Sequence, residues 1–422
     1  MVSAEERQIL EAIKGRLALE QIENLCRFGD RFVGTEGDYQ ARDYIIDQFQ
    51  ALGLEVRLTE IEAPSFRELE PARLELPQAG IELEGLSPYL GPPTPPGGIE
   101  AEIVGIGQGE EEDLARVEVG GKLGLMREQG LGYLKFWLGT IAERAAAHGA
   151  LGLIVIHPMP WPYRNSMEAG NSQVSRRFCD TQLPAICLSA VQGAELMYQL
   201  GRGQTQARLL VNTVIEDKKS AVVSGIKKGE GPGDERVAVL AHRDTAVPPG
   251  ANDNTSGTAC MLELARVLAP RRSALGFEFI STTAEDGATL GAYLYCQEHK
   301  DELQKNLKAL IDIDMVSVGG QIKQVEKGLW PDSDPIYATG WLMDLVDQVA
   351  EELGYYFGRM EASWGVAESA RFLEIGVPST WFWAPDDPYY HSTQDTPDKI
   401  NPNSLKSVMD VSALVMWRLA NP

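Results

Sequence analysis

The sequence predicts an α/β protein, with a mixed, mostly parallel sheet flanked by helices and interrupted by an inserted β-rich α/β segment. Three observations carry this reading. VAVLAH (237–242), FEFISTTAED (277–286) and LKALIDIDMV (307–316) are apolar runs of strand length, each ending in polar or acidic residues, with helical patterns between them. Residues 64–98 have a different texture, rich in Pro, Gly and short alternating segments such as YLGPPTPPGG, which favours strands and loops over helices. The chain has 422 residues, more than one compact core usually holds, so two domains are expected.

From Glu5 to Leu52 the apolar residues recur at helical spacing in two blocks, broken by the glycine-containing loop CRFGDRFVGTEGD. YQARDYIIDQFQALG ends on Gly53 as a helix does, and LEVRLTEIEA (54–63) then alternates like a strand. GGKLGLM (120–126) reads as a short strand, and IAERAAAHGALGLIVIH (141–157) as a helix stopped at Gly149 and followed by a buried strand. LPAICLS and AVQGAELMYQLGRG repeat the strand and helix theme, and ARLLVNTVIED (207–217) closes the segment with a strand. The expected division is one discontinuous domain, 1–62 with 217–422, and an insert at 63–216.

Hydrophobic residues make up 44% and charged residues 23%, the composition of an ordinary globular protein. Lys plus Arg number 38 against 61 Asp plus Glu, a formal charge of -23 that repels phosphate backbones and anionic lipid. Nucleic acid and membranes are therefore excluded as partners. No run of about 18 apolar residues is present, and MVSAEERQILEAIKGRL has acids where a signal peptide needs a basic flank. The five cysteines, Cys26, Cys179, Cys187, Cys260 and Cys296, are odd in number and form no C-x-x-C pair, which reads as a reduced, cytoplasmic chain. The oligomeric state stays open, a homo-oligomer included.

The chemistry lies where strands end, because open α/β sheets bind ligands outside the carboxyl ends of their strands. VAVLAHRD delivers His242 and Asp244 there, FEFISTTAED delivers Glu285 and Asp286, and ALIDIDM delivers Asp312 and Asp314. GANDNTSGT adds Asp253, and YYHSTQDTPDKI adds His391 and Asp395. Each motif alone reads as structural more readily than functional. Together, two histidines and several carboxylates at one sheet edge repel severely unless a cation neutralises them. Mixed nitrogen and oxygen ligands suit zinc, with cobalt or manganese as alternatives. Five or more ligands exceed one tetrahedral ion, so a pair of metals about 3.5 to 4 Å apart, sharing one carboxylate, is the natural reading.

The ordered set GDRFVGTEGDYQARDYIIDQFQALGLEV, AHRDT, GANDNTSGTACMLELAR, TAEDGATLGAYLY, IDIDM, FLEIGVPST and YHSTQDT resembles the di-zinc exopeptidases. That family includes bacterial leucyl-type aminopeptidases, glutamate carboxypeptidase and the non-catalytic transferrin receptor. The resemblance implies the zinc-exopeptidase fold and two zinc ions, with His242 and Asp314 on one, Asp286 and His391 on the other, and Asp253 bridging. It implies that Asp244 orients the His242 imidazole and that Glu285 is the general base, taking a proton from the two-metal-activated water and handing it to the leaving amine. It also implies a cis peptide between Asp253 and Asn254, and an apolar pocket lined by Met315, Glu368, Trp381, Phe382 and Tyr389. Segment 63–216 resembles a protease-associated domain, which implies either a lid over the site or a packing domain without substrate contact.

The chain departs from the family pattern twice. Two consecutive glutamates are usual where Glu285 and Asp286 stand, so one ligand is a methylene shorter; Ala367, Glu368 and Ser369 replace the usual S-D-H. The implied activity is an aminopeptidase releasing apolar N-terminal residues from peptides. One alternative is a carboxypeptidase or dipeptidase, which needs a basic residue such as Arg243, Arg164, Arg176 or Arg177 to hold a free carboxylate. A non-catalytic binding protein on the same fold is the other. His148 and His299 are expected at the surface.

Overall fold

The computed structural model describes residues 2–128, 137–169, 177–180, 183–328, 334–362 and 367–422. The N-terminal blocks form the helices Ala4–Ala12, Gly15–Cys26 and Glu36–Ala51, the last capped by the Thr35 hydroxyl, which accepts from the Asp38 amide. The strand that follows does not stop at Ala63. It runs from Glu55 to Leu76 and pairs antiparallel with an equally long strand, Gln206–Lys227. Pro64 lies inside it, opposite Asp217. A strand tolerates proline at a sheet edge, and on its other side this one pairs only from Ala72 to Leu76, with the strand Ile81–Gly85. The expected boundary at 62/63 and 216/217 thus falls inside a continuous ladder, where Glu62 faces Lys219 and Ala63 faces Lys218.

In the main half, the strand Arg236–His242 is flanked in parallel by Gly276–Thr282 and Leu307–Ile313, with Ser379–Trp383 parallel beyond the latter. Antiparallel strands close both sides, Gln206–Lys227 beside Gly276–Thr282 and Lys323–Gly328 beside Ser379–Trp383. The sheet is therefore mixed and mostly parallel. The inserted half adds four parallel strands, Ile99–Gly105, Leu123–Arg127, Gly152–Ile156 and Ala185–Leu188, joined to the main sheet where Ile99–Gly105 runs antiparallel to Gln206–Lys227.

Strand alternation divides the core into layers. Val237, Val239 and Ala241 face the helices Gly15–Cys26, Thr255–Leu268 and Pro402–Ala420, while Ala238 and Leu240 face the opposite layer. That second layer also contains Met126, Leu138, Leu153 and Val155, so the inserted half and the main sheet share one apolar cluster.

Candidate metal centre

Three parallel strands end side by side and hand over to the loops that carry the polar groups. His242 is the last residue of its strand, Glu285 and Asp286 follow Gly276–Thr282, and Asp314 follows Leu307–Ile313. Asp253 lies in the turn before the helix Thr255–Leu268, and His391 in the loop after Ser379–Trp383. The Asp253–Asn254 peptide is cis, as the resemblance implies.

The side chains converge in two clusters that share Asp253. His242 Nε2 lies 3.4 Å from Asp253 Oδ1 and 3.6 Å from Asp314 Oδ1. His391 Nε2 lies 3.0 Å from Asp253 Oδ2 and 3.2 Å from Asp286 Oδ1. Asp253 thus points one oxygen at each imidazole. Donors ~2.0 to 2.2 Å from a tetrahedral zinc sit about 3.3 to 3.6 Å from one another; the two His242 separations lie in that range and the two His391 separations fall slightly short of it. His242 Nε2, Asp286 Oδ2 and Asp314 Oδ1 are buried with no hydrogen-bond partner. Such orphaned donors and acceptors are costly in a dry interior, and a cation satisfies them together. The residues fit a pair of divalent ions.

Electrostatics support the same conclusion. Burial opposes a charged imidazole at His391, yet the Asp253 and Asp286 carboxylates hold its pKa up at about 10. Burial likewise opposes charge on His242, and Asp244, Asp253 and Asp314 override it. Burial pushes Asp286 up to about 6. Left to itself the cluster gathers protons to offset its carboxylates, and divalent ions replace those protons on binding.

The surrounding loops fix the donors. Asp395 accepts from the amides of Asn252 and Asp253 at 2.7 and 3.0 Å, and Asn252 donates to Asp387 at 2.8 Å. Arg31, from the R-x-x-G-T segment, is buried and donates to the carbonyls of Arg243, Pro249 and Gly250 and to the Thr255 hydroxyl, clamping the turn that carries Asp253. Asn254 caps the helix through Gly257, whose lack of a side chain is required, because a Cβ there would sit 2.0 Å from the Ile313 carbonyl oxygen. Asp244 Oδ1 lies 3.3 Å from His242 Nδ1, and its other oxygen accepts from the Asp286 amide. His391 Nδ1 donates to the Arg164 carbonyl at 3.0 Å, which leaves Nε2 as the donor atom toward Asp286 and Asp253.

Glu285 is half-buried beside the cluster. Asp312 is buried and accepts from the Ser369 amide, and Glu368 is buried with one oxygen on the Thr282 hydroxyl at 2.6 Å. Met315 and Trp381 share an apolar cluster with Val325, Ala362 and Trp383. Phe382 does not: alternation along Ser379–Trp383 turns it into the main core, 5.4 Å from the Phe357 ring, so it leaves the pocket set. Tyr389 is half-buried and stacks on Trp161 at 5.3 Å.

Of the arginines considered for a carboxylate, Arg243 is buried and fully engaged by Asp38, Ser220 and the carbonyls of Ala221, Ser281 and Thr282. Arg164 pairs with Glu68, Arg177 pairs with Glu143, and Arg176 lies outside the described residues. His148 is paired with Glu111 and His299 with Thr59, the latter packed 4.8 Å from the Tyr295 ring instead of lying free at the surface. Sequence reasoning missed Tyr89, Tyr163 and Glu168 and considered Arg164 only as a partner for a substrate carboxylate; all four approach the centre from the inserted half. Nothing in their local motifs signals it.

Residues 222–416 match the model of Peptidase family M28. The chain is 25% identical to "Aminopeptidase YwaD" of Bacillus subtilis over 434 aligned positions, covering 99% of this chain and 87% of that protein. A peptidase M28 precursor from Shewanella amazonensis has a similar fold, with a TM-score of 0.78 at 23% identity, covering 99% of this chain and 96% of the other. BSAP, a zinc aminopeptidase from Bacillus subtilis, superimposes with a TM-score of 0.75 at 23% identity, covering 97% and 96%.

Proposed function

We propose that this chain, whose residues 222–416 match the model of Peptidase family M28, is a two-zinc aminopeptidase releasing apolar N-terminal residues from peptides, with Glu285 as its general base. The observation that carries the reading is the split carboxylate of Asp253, with Oδ1 toward His242 and Oδ2 toward His391. His242, Asp253 and Asp314 would hold one ion; His391, Asp286 and the same Asp253 would hold the other. When bound, the pair supplies Lewis acidity, polarising the scissile carbonyl and making water nucleophilic near neutral pH.

The remaining work falls to the chain. Glu285 takes the proton that the attacking water loses as the new C–O bond forms, and passes it to the departing amine as the peptide C–N bond then breaks. Asp244 and the Arg164 carbonyl orient the two imidazoles so that each presents Nε2. Met315 and Trp381, which share one apolar cluster, would offer a wall for the first side chain, with half-buried Tyr389 and buried Glu368 as further pocket candidates. A free N-terminal amine suits these acidic surroundings. A C-terminal carboxylate has no equal welcome, since Arg243 and Arg164 are already paired. No helix of the described residues is long and apolar enough to cross a membrane. The cysteines form no disulfide among the described residues, which fits a reducing cytoplasm.

The test is metal content and substrate polarity together. Protein purified without chelator should contain two zinc ions per chain and cleave leucyl peptides with a free N-terminus but not their acetylated forms. Chelation should abolish turnover and zinc restore it. Cleavage of acetylated peptides from the C-terminus would move the chain to the carboxypeptidase reading; metal-replete protein without turnover would favour the binding-protein reading.

A further inference from the structure

The two metal positions are supported differently. His242 ends a strand paired on both sides, and the Asp314 amide donates to the Phe382 carbonyl, so the first position hangs on the main sheet. Asp286 and His391, the residues that only the second position uses, sit on loops, and His391 has a left-handed backbone with φ 49°. What holds those loops comes from the inserted half. The Arg164 amide donates to the His391 carbonyl at 2.9 Å while His391 Nδ1 donates back to the Arg164 carbonyl at 3.0 Å. The Tyr163 ring stacks on the His391 imidazole at 5.4 Å. The Tyr89 hydroxyl donates to Asp286 Oδ1 at 3.5 Å, and buried Glu168 accepts from the Ala288 amide at 3.0 Å, two residues beyond Asp286. Among the described residues, no side-chain hydrogen bond from 63–216 reaches His242 or Asp314.

We infer that the inserted segment is not only a cover or a packing unit but builds the second metal position, with Tyr89 and Glu168 as positioning residues for Asp286 and its loop and the Tyr163–Arg164 stretch as the seat of His391. The inference rests on the two-zinc reading. Ion binding and docking of the insert then stabilise each other to the same extent, as linkage requires.

The experiment measures zinc bound to the full chain at buffered free zinc, for wild type, Tyr89→Phe and Glu168→Gln. Tyr89→Phe keeps the ring and removes only the hydroxyl, so it answers even if Glu168→Gln folds poorly. Wild type should take up two ions. Each variant should hold the first with unchanged affinity and the second about 10-fold more weakly or worse, the usual penalty for losing a group that orients a ligand. Amide exchange at Arg164 should slow with the second equivalent of zinc and not with the first. Wild type binding fewer than two ions would defeat the two-zinc reading and this inference with it. Wild type binding two, with variants that keep both unchanged or lose both together, would defeat the inference alone.

Discussion

Glu285 and Asp286 are neighbours in sequence, yet one stands half-buried beside the cluster and the other is fully buried within it. That difference separates their expected phenotypes. Glu285→Gln keeps the size of the side chain and removes the base, so turnover should fall by at least ~10²-fold while zinc content and thermal stability stay near wild type. Retention of most activity in the Gln variant would remove Glu285 from the role. Asp286 has the shorter arm where the family pattern has glutamate, and it meets His391 through Oδ1 while Oδ2 is left without a hydrogen bond. The ion it shares with His391 should therefore leave first. Anomalous diffraction from crystals at sub-saturating zinc would rank the two positions, with the His242, Asp253 and Asp314 position expected to fill first. Asp286→Glu should narrow the gap, and preferential filling at His391 in the wild type would refute the ranking.

At the scale of elements, the inserted sheet carries a buried acid beside a buried histidine. Glu128 follows the strand Leu123–Arg127, His157 follows its parallel neighbour Gly152–Ile156, and their facing atoms lie 3.4 Å apart. The Met159 amide donates to His157 Nδ1, and Asn165 donates to Glu128 at 2.8 Å. Burial pushes Glu128 from 4.5 up to about 8 and His157 from 6.5 down to about 3. The folded chain therefore holds a proton on Glu128 that the unfolded chain releases, so this group's contribution to stability is complete below pH 4.5 and lost as pH rises toward 8. His157 works the other way: the unfolded chain binds the proton that the folded one refuses, so stability is gained as pH rises from 3 to 6.5. The two slopes cancel where they overlap, leaving a plateau from about pH 4.5 to 6.5 with a decline above it. In urea unfolding across pH, wild type minus Glu128→Gln should show a fall of about 1.4 kcal/mol per pH unit between those limits of Glu128. A pH-independent difference would mean that the glutamate is ionised in the fold.

At the scale of the whole molecule, what the sequence made legible was what periodicity and strand ends report. The βα units, the acids and histidines at their carboxyl ends and the helix stop at Gly149 are local patterns, and each appears where expected. Two features were not local. Pro64 suggested a loop, but a 22-residue partner from Gln206 onward holds the chain extended through it, and only that distant pairing overrides the local signal, whereas Gly80 and Gly97 do lie in turns. Phe382 looked like its tryptophan neighbours until register placed it on the opposite face. The same long ladder bears on how the molecule unfolds. Separate domains joined by linkers can melt apart, but here both crossing strands are continuous, and Leu153 and Val155 of the insert share an apolar cluster with Ala238, Leu240 and Ile280 of the main sheet. Opening the insert alone would strip that shared face and expose it to water, at a cost that scales with the apolar area uncovered. A single cooperative transition should therefore be seen in urea even with zinc removed, with amide exchange at Leu153 and Val155 coinciding with that at Val239 and Ile311. Exchange of the insert amides at urea concentrations where the main sheet remains protected would show two units that unfold independently.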